Sequence, residues 1–389
     1  MSDSLMSTYL PLPVEFESGK GAYLIDTEGK EYLDAVAGVA VCSLGHAHPE
    51  IADALADQAR TLIHTSNLYQ ITHQKALGEK LCAVSGMDKV FFSNSGAEAN
   101  EAAIKLARLY GKSIGVERAS IIVMEGSFHG RTLATLSATG SRKVQAGFSP
   151  LVEGFARVPY NDIEAIKKTA ENNADVVAVL VEPVQGEGGV IVPDADYLAQ
   201  IRKICDENNW LMMLDEIQTG IGRTGKWFAH QHSDIKPDVM TLAKALGNGF
   251  PVGACLAAGK AKDIFSPGTH GSTFGGNPLA TRAGLTVLNI IEKEAVVDNA
   301  KKMGEYLLSS FQKELGNVDS VVAIRGHGMM IGIELDKDCG ELVKQALDKQ
   351  LLINVTAGKV IRLLPPLIIT KEQADTIVST VVSLVKDFS

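Results

Sequence analysis

The chain has no apolar run long enough to span a membrane; its longest, Val176 through Val181, has the length of a strand. Positive charge is short as well. Lys and Arg number 37 against 46 Asp and Glu, a net charge of −9, so clustered phosphate contacts are not expected and nucleic acid is excluded as the main partner. Cysteine is scarce: Cys42, Cys82, Cys205, Cys255 and Cys339 are scattered, odd in number and never at CxxC spacing. That gives no disulfide framework and no zinc motif, and it suits a reducing cytoplasm. The stretch up to Lys30 carries Asp3, Glu15, Glu17, Asp26 and Glu28 and lacks an apolar h-region, so a signal or transit peptide is not expected. Repeats and low-complexity segments are missing too. What remains is a chain of 389 residues, 46% hydrophobic and 21% charged, an ordinary globular balance for which a small-molecule enzyme is the expectation.

From about residue 50 to 280, short β-rich runs alternate with helical patterns. Strands are predicted at residues 90–93, 121–125, 176–182, 211–215 and 239–242, with helices such as 97–110 and 197–208 between them. Continuous apolar strands separated by helices imply an α/β fold on a mostly parallel sheet covered on both faces. Ligands of such sheets sit at the carboxyl ends of the strands, so residues that end a strand matter most. After residue 282 the pattern changes. Leu285, Leu288 and Ile291 open a helical stretch predicted to run to about Leu315. Short strands follow at 329–334 and 360–364, and Ile377, Val381, Leu384 and Val385 mark an amphipathic last helix. Three parts are predicted: residues 1–50 as an N-terminal segment packing with the small domain, 51–282 as the large domain, and 283–389 as a small α+β domain.

Asn94-Ser95-Gly96-Ala97-Glu98 ends one predicted strand and opens a helix. It reads as a capping box, with Glu98 reaching back, or as an anion site, where free N–H groups and the helix dipole favour negative charge. Asp215 ends an apolar run. Its carboxylate either faces a ligand, where it would keep a heterocyclic nitrogen protonated, or begins a solvated loop. Lys244 stands just past residues 239–242, among Ala243, Ala245 and Leu246. Desolvation there would lower its pKa and make the amine nucleophilic toward an aldehyde, although an exposed loop is the ordinary fate of lysine. The company these three features keep, on successive βα units, weakens the ordinary reading of each.

Two other patterns mislead. Gly220-Ile221-Gly222-Arg223-Thr224-Gly225 spells GxGxxG, and through Lys226 it nearly spells a Walker A loop. Trp227 nevertheless stands where Ser or Thr must bind magnesium, and no amphipathic helix follows, so a plain Gly-rich loop is predicted. His46 with His48, and His230 with His232, have HxH spacing but no third ligand at a recognised distance. They are predicted to hydrogen-bond within loops rather than to bind metal.

Taken together, Ser95-Gly96-Ala97-Glu98-Ala99-Asn100, Phe128-His129-Gly130-Arg131-Thr132, Asp215-Glu216-Ile217-Gln218-Thr219-Gly220, Lys244 and Ser272-Thr273-Phe274-Gly275-Gly276-Asn277-Pro278 follow the motif order of the class III (ω-) aminotransferases. The chain resembles that family from about Gly29 to its C-terminus. Phe128-His129-Gly130-Arg131-Thr132, the compact length, and Leu351-Leu352-Ile353-Asn354 with Arg362-Leu363-Leu364-Pro365-Pro366-Leu367 bring it nearest to the members acting on acetylornithine. The resemblance implies the type I fold of enzymes using pyridoxal 5′-phosphate (PLP) and a homodimer with shared active sites. It also implies transfer of the terminal amine of N2-acetyl-L-ornithine to 2-oxoglutarate. Ornithine, succinylornithine, succinyl-diaminopimelate and 4-aminobutyrate stay open as substrates, and an aminomutase as a different reaction. A non-catalytic member is disfavoured because Lys244 and Asp215 are both present.

Residue by residue, the resemblance implies that Lys244 carries the cofactor and shuttles the proton, and that Asp215 pairs with the ring nitrogen. Ser95, Gly96 and Ala97 would bind the phosphate, joined by Thr273 of the partner subunit. Phe128 would stack on the ring and Gln218 would touch its hydroxyl. Arg131 and Ser272 would contact acetylornithine. Arg362 would bind the α-carboxylate of 2-oxoglutarate, and Glu182 would neutralise Arg362 when an ω-amine arrives. Without the family pattern, Arg362 and Glu182 read equally well as an ion pair between domains.

Overall fold

The computed structural model describes residues 4–388. The N-terminal segment is an antiparallel meander of β1 (Phe16–Lys20), β2 (Tyr23–Asp26) and β3 (Glu31–Asp34). Asp26 makes the β2–β3 turn, its Oδ1 accepting the N–H groups of Glu28 at 3.0 Å and Lys30 at 2.8 Å.

Seven strands form the large sheet: β4 (Lys89–Ser93), β5 (Ser120–Met124), β6 (Phe155–Val158), β7 (Val176–Val181), β8 (Leu211–Asp215), β9 (Val239–Leu242) and β10 (Gly253–Ala257). Their order is β4-β10-β9-β8-β7-β5-β6. β10 runs antiparallel to β4 and β9, and every other pair is parallel, as the alternation of strands and helices predicts. β5, β7 and β8 are buried at every residue, which is why they read as unbroken apolar runs. Helix Gly96–Ser113 packs on one face through Ala99, Ala102, Ala103 and Ala107, small enough to let it lie close. Helix Tyr197–Glu207 covers the other with Tyr197, Leu198, Ile201 and Ile204. Sequence reading missed β6 and β10. The second is Gly253-Ala254-Cys255-Leu256-Ala257, with no β-branched or aromatic residue to signal a strand.

Two helices, Pro278–Lys293 and Val296–Leu315, replace the single long one expected from residue 285. The chain breaks at Ala295, at φ 50°, with neither glycine nor proline to announce it. Asn277 caps the first helix, Oδ1 accepting the Ala280 N–H at 2.9 Å, and Pro278 opens it. An antiparallel sheet follows, made of β11 (Val321–His327), β12 (Met330–Leu335), β14 (Asn354–Thr356) and β15 (Val360–Leu363), in the order β11-β12-β15-β14. Between its strands β13 (Leu351–Leu352) leaves to pair in parallel with β3, Leu351 opposite Leu33. The last helix, Lys371–Phe388, buries Ala374, Ile377, Val381, Leu384 and Val385.

The GxGxxG segment is not followed by an α-helix but by a short 3-10 turn at Ala229–His232. Its Arg223 is 1% exposed. Nη1 donates to the carbonyls of Pro365 at 2.6 Å and Met329 at 3.2 Å, and Nη2 to Ser43 Oγ at 3.1 Å. Burial pulls this guanidinium down to about 9. The glycine loop therefore clamps three distant stretches of chain together. Among the described residues no helix is long and apolar enough to cross a membrane.

Candidate active site

The carboxyl ends of β7, β8 and β9 and the start of helix Gly96–Ser113 converge on a cavity of about 410 Å³. Asp215, the last residue of β8, is 4% exposed. Its Oδ2 accepts from Asn100 Nδ2 and from His129 Nδ1, each at 2.8 Å, and its Oδ1 from the Ile217 N–H at 3.1 Å. Asn100 is itself held by Thr241 Oγ1 at 2.7 Å. Groups on separate elements thus fix the direction of one carboxylate.

Lys244 follows β9 by two residues, at φ 45°, and lines the cavity half-buried. Desolvation lowers its pKa, opposed chiefly by the charge of Glu187, so the neutral, nucleophilic amine is favoured relative to an exposed lysine.

At the helix start Ser95 Oγ accepts the Glu98 N–H at 3.2 Å, and Glu98 Oε2 accepts the Asn94 N–H at 2.6 Å. The cap is therefore real. It also leaves the first-turn N–H groups of Gly96 and Ala97 facing the cavity without an intrahelical carbonyl, so cap and anion site are compatible. A Cβ on Gly96 would come within 2.8 Å of Ile217 Cδ1, which is why glycine stands there.

Phe128 lines the cavity, and exposed Arg131 holds its guanidinium carbon 5.7 Å from the ring centroid. Gln218 is 8% exposed and its Oε1 is buried without a partner. Gly186 makes room for it, because a Cβ there would lie 2.1 Å from that oxygen.

The carboxylate on Arg362 is not the expected one. Glu182 directly follows β7, and both its oxygens are taken by backbone: Oε2 by the Phe128 N–H at 3.1 Å, Oε1 by the Gly186 N–H at 3.3 Å. Burial, aided by the charge of Asp215 and opposed by His129, lifts its pKa to about 7. After Gly186 the chain crosses toward β15, and there Glu187 Oε1 accepts from Arg362 Nη1 at 2.6 Å. Arg362, 2% exposed, is not among the residues lining the cavity, whereas the Glu187 that binds it is. Asn354 Oδ1 takes the remaining side of the guanidinium, from Nη2 at 2.7 Å and Nε at 3.0 Å.

Ser272 and Thr273 do not line the cavity of their own chain. Ser272 Oγ accepts the Gly275 N–H at 2.9 Å, and Thr273 is exposed. Sequence reasoning also passed over His129, Asn100, Glu187 and Asn354. His129, Asn100 and Asn354 lie inside motifs already singled out, and Glu187 is the second acid of Glu182-Pro183-Val184-Gln185-Gly186-Glu187. The paired histidines have other partners: His46 Nε2 lies 2.8 Å from Asp34 Oδ2, His230 Nδ1 lies 2.9 Å from Glu216 Oε1, and His232 Nε2 lies 3.1 Å from the Thr224 carbonyl.

The residues present fit PLP. Gln218 Oε1 is buried without a partner, and a ring hydroxyl is a natural donor to it, while the first-turn amides of Gly96 and Ala97 at the cavity suit a phosphate. Lys244 would hold the aldehyde carbon, with Asp215 on the ring nitrogen. A ligand with an aldehyde, a basic ring and a phosphate answers all of these at once, and on this sheet that defines a type I PLP-dependent enzyme.

The aminotransferase class-III family model matches residues 6–385. The acetylornithine aminotransferase of Nitrosomonas europaea is 58% identical over 384 residues, 99% of this chain and 98% of that one. That of Methanothermobacter thermautotrophicus is 48% identical, covering 98% and 96%. Among solved structures, the ornithine aminotransferase of Toxoplasma gondii superposes with a TM-score of 0.95 at 34% identity, over 99% of this chain and 94% of that one. The acetylornithine aminotransferase of Elizabethkingia anophelis gives 0.87 at 36%, over 98% and 96%. The chain belongs to the class III aminotransferases and is a PLP-dependent transaminase.

Proposed function

We propose that the protein moves the terminal amino group of N2-acetyl-L-ornithine to 2-oxoglutarate, giving N-acetyl-L-glutamate 5-semialdehyde and L-glutamate, a step of arginine biosynthesis. The observation that carries this reading is buried Arg362 bound by Glu187, which lines the cavity. Two unlike substrates share one site, and an exchangeable carboxylate reconciles them. With Glu187 in place the arginine is neutralised and the cavity suits a chain presenting an amine; with Glu187 displaced the guanidinium is open to an α-carboxylate. Arg131, exposed at the cavity edge, takes the α-carboxylate of acetylornithine. The full-length relatives named for acetylornithine support this substrate over the other ω-amines.

When bound, PLP supplies an aldehyde that takes up amines and a protonated ring that accepts electrons. Asp215, its direction set by His129 and Asn100, would hold the proton on the ring nitrogen. Lys244, whose burial favours the neutral amine, would hold the aldehyde and would act as the base for the proton on the amine-bearing carbon of the substrate. Phe128 would cover the ring face, and the Gly96 and Ala97 amides would anchor the phosphate.

The working unit is a homodimer. Leu62, Ile63, Leu68, Tyr69 and Phe274 form exposed apolar surface beside Thr273, tied to it by Asn67 Nδ2 donating to the carbonyls of Ser272 at 3.2 Å and Gly275 at 2.9 Å. The test of substrate is a panel of acetylornithine, succinylornithine, succinyl-diaminopimelate, ornithine and 4-aminobutyrate with 2-oxoglutarate. Acetylornithine should give the highest kcat/KM. A higher value for another amine would replace it, and nitrogen retained within a single substrate would point to an aminomutase.

A further inference from the structure

The pairing of β14 with β15 sets Asn354 directly opposite Arg362. On the other side of β15 the residue opposite Arg362 is Gly332, which offers no side chain. The same β14 anchors the carboxylate that covers the arginine, because Thr356 Oγ1 donates to the Glu187 carbonyl at 2.6 Å. Arg325 holds the next turn, donating from Nη2 to the Gly189 carbonyl at 2.7 Å and from Nε to the Val190 carbonyl at 2.9 Å. The backbone around Glu187 is thus tied down while its side chain, 37% exposed, is the part with freedom to swing.

A guanidinium has five N–H donors and two edges able to grip a carboxylate with a fork. Asn354 Oδ1 occupies the side edge, Nε with Nη2. Glu187 holds Nη1, leaving the end edge, Nη1 with Nη2, as the one that opens when Glu187 moves.

We propose that Asn354 is a positioning residue that fills the side edge of Arg362 with a neutral acceptor, so that a substrate α-carboxylate meets the end edge and the full charge of the arginine. This rests on the assignment of Arg362 to the α-carboxylate and adds a reason for an amide at residue 354. An acid in its place would satisfy the same two N–H groups but would neutralise the arginine permanently, and the exchange between Glu187 and substrate would lose its driving force.

The test uses the PLP-loaded protein and Asn354→Asp, which keeps the shape and adds the charge. Two readouts are compared: equilibrium binding of glutarate, a dicarboxylate with no group to react, and single-turnover rates for each half-reaction. Asn354→Asp should weaken glutarate about tenfold or more and raise the 2-oxoglutarate concentration for half-maximal rate by a similar factor. The maximal rate and the acetylornithine half should stay within about twofold, a split that general damage to the fold does not produce. Asn354→Ser, smaller but neutral, should weaken glutarate only about threefold and decides the matter if the Asp variant does not fold. Unchanged glutarate binding in Asn354→Asp, or equal loss in both halves, overturns the proposal. Arg362→Lys separates the two levels of the argument. If it weakens glutarate while Asn354→Asp does not, only the role of Asn354 falls; if it leaves glutarate unchanged, the Arg362 assignment falls and the proposal with it.

Discussion

Removing the carboxylate of Glu187 should turn the enzyme toward α-carboxylate substrates. The contact it breaks is an N···O distance of 2.6 Å, between an arginine 2% exposed and a glutamate 37% exposed. Charged hydrogen bonds in buried settings contribute about 1.5–3 kcal/mol, and exposed ion pairs about 0–1 kcal/mol. A pair with one buried and one half-open partner falls between, at about 1–2 kcal/mol. That is the free energy with which Glu187 competes against an arriving α-carboxylate. Glu187→Ala should therefore raise the rate constant ratio of the glutamate half to the acetylornithine half by roughly 5–30-fold. Arg362→Ala should push the ratio the other way, costing the 2-oxoglutarate half about 2–5 kcal/mol, or roughly one and a half to nearly four powers of ten. Rapid mixing of each loaded variant with one substrate at a time, followed by cofactor absorbance, measures both halves separately. If Glu187→Ala leaves the ratio where it was, or Arg362→Ala slows both halves equally, the two residues form an ordinary structural ion pair and the exchange model is wrong.

Borohydride should fix the cofactor onto Lys244, located by peptide mapping, and Lys244→Ala should abolish turnover; attachment at another lysine would refute the assignment. Asp215→Asn should keep the fold and lose most activity, since an amide does not hold the ring proton, and a near wild-type kcat would transfer that role elsewhere. The Asp34 hydrogen bond, with Cys42 beside it, raises His46 from 6.5 to about 9. The resulting stabilisation is complete below the unfolded value of 6.5 and is lost as pH rises through about 9. Wild-type Tm should therefore fall about 1–3 °C more than that of His46→Gln across that window, and parallel curves would show no linkage. Mixing Lys244→Ala with Thr273→Ala under subunit exchange should restore part of the activity, because one site of the heterodimer inherits neither change; full activity from a demonstrated monomer would exclude a shared site.

The residues most legible in the sequence are those whose role depends on a strand end. Asp215 and Lys244 follow buried apolar runs, and the topology of a parallel sheet delivers such positions to one edge whatever the loops do. Glu182 follows the same logic and does reach the cavity, but Arg362 is held by Glu187 instead. Which of two acids in a six-residue segment meets a distant arginine depends on the turn at Gly186 and on the path toward β15, and periodicity carries no information on either. Asn354 was hidden for a similar reason, since its partner is set by strand register between β14 and β15. The break at Ala295 illustrates the limit of propensity: Glu294 and Ala295 both favour helix, and packing overrides them.

The parallel pairing of β13 with β3 has a consequence for the order in which the molecule is made. Leu33 emerges from the ribosome early, and the strand it needs, at Leu351, emerges more than three hundred residues later. At ordinary synthesis rates that interval is on the order of tens of seconds. Throughout it, the edge of β3 and the apolar side chains beneath it have no permanent cover, while the large sheet has all its strands by Ala257 and is free to form first. Nascent chains arrested anywhere before Leu351 should accordingly share one vulnerable place, the N-terminal meander, for proteases to cut and chaperones to shield.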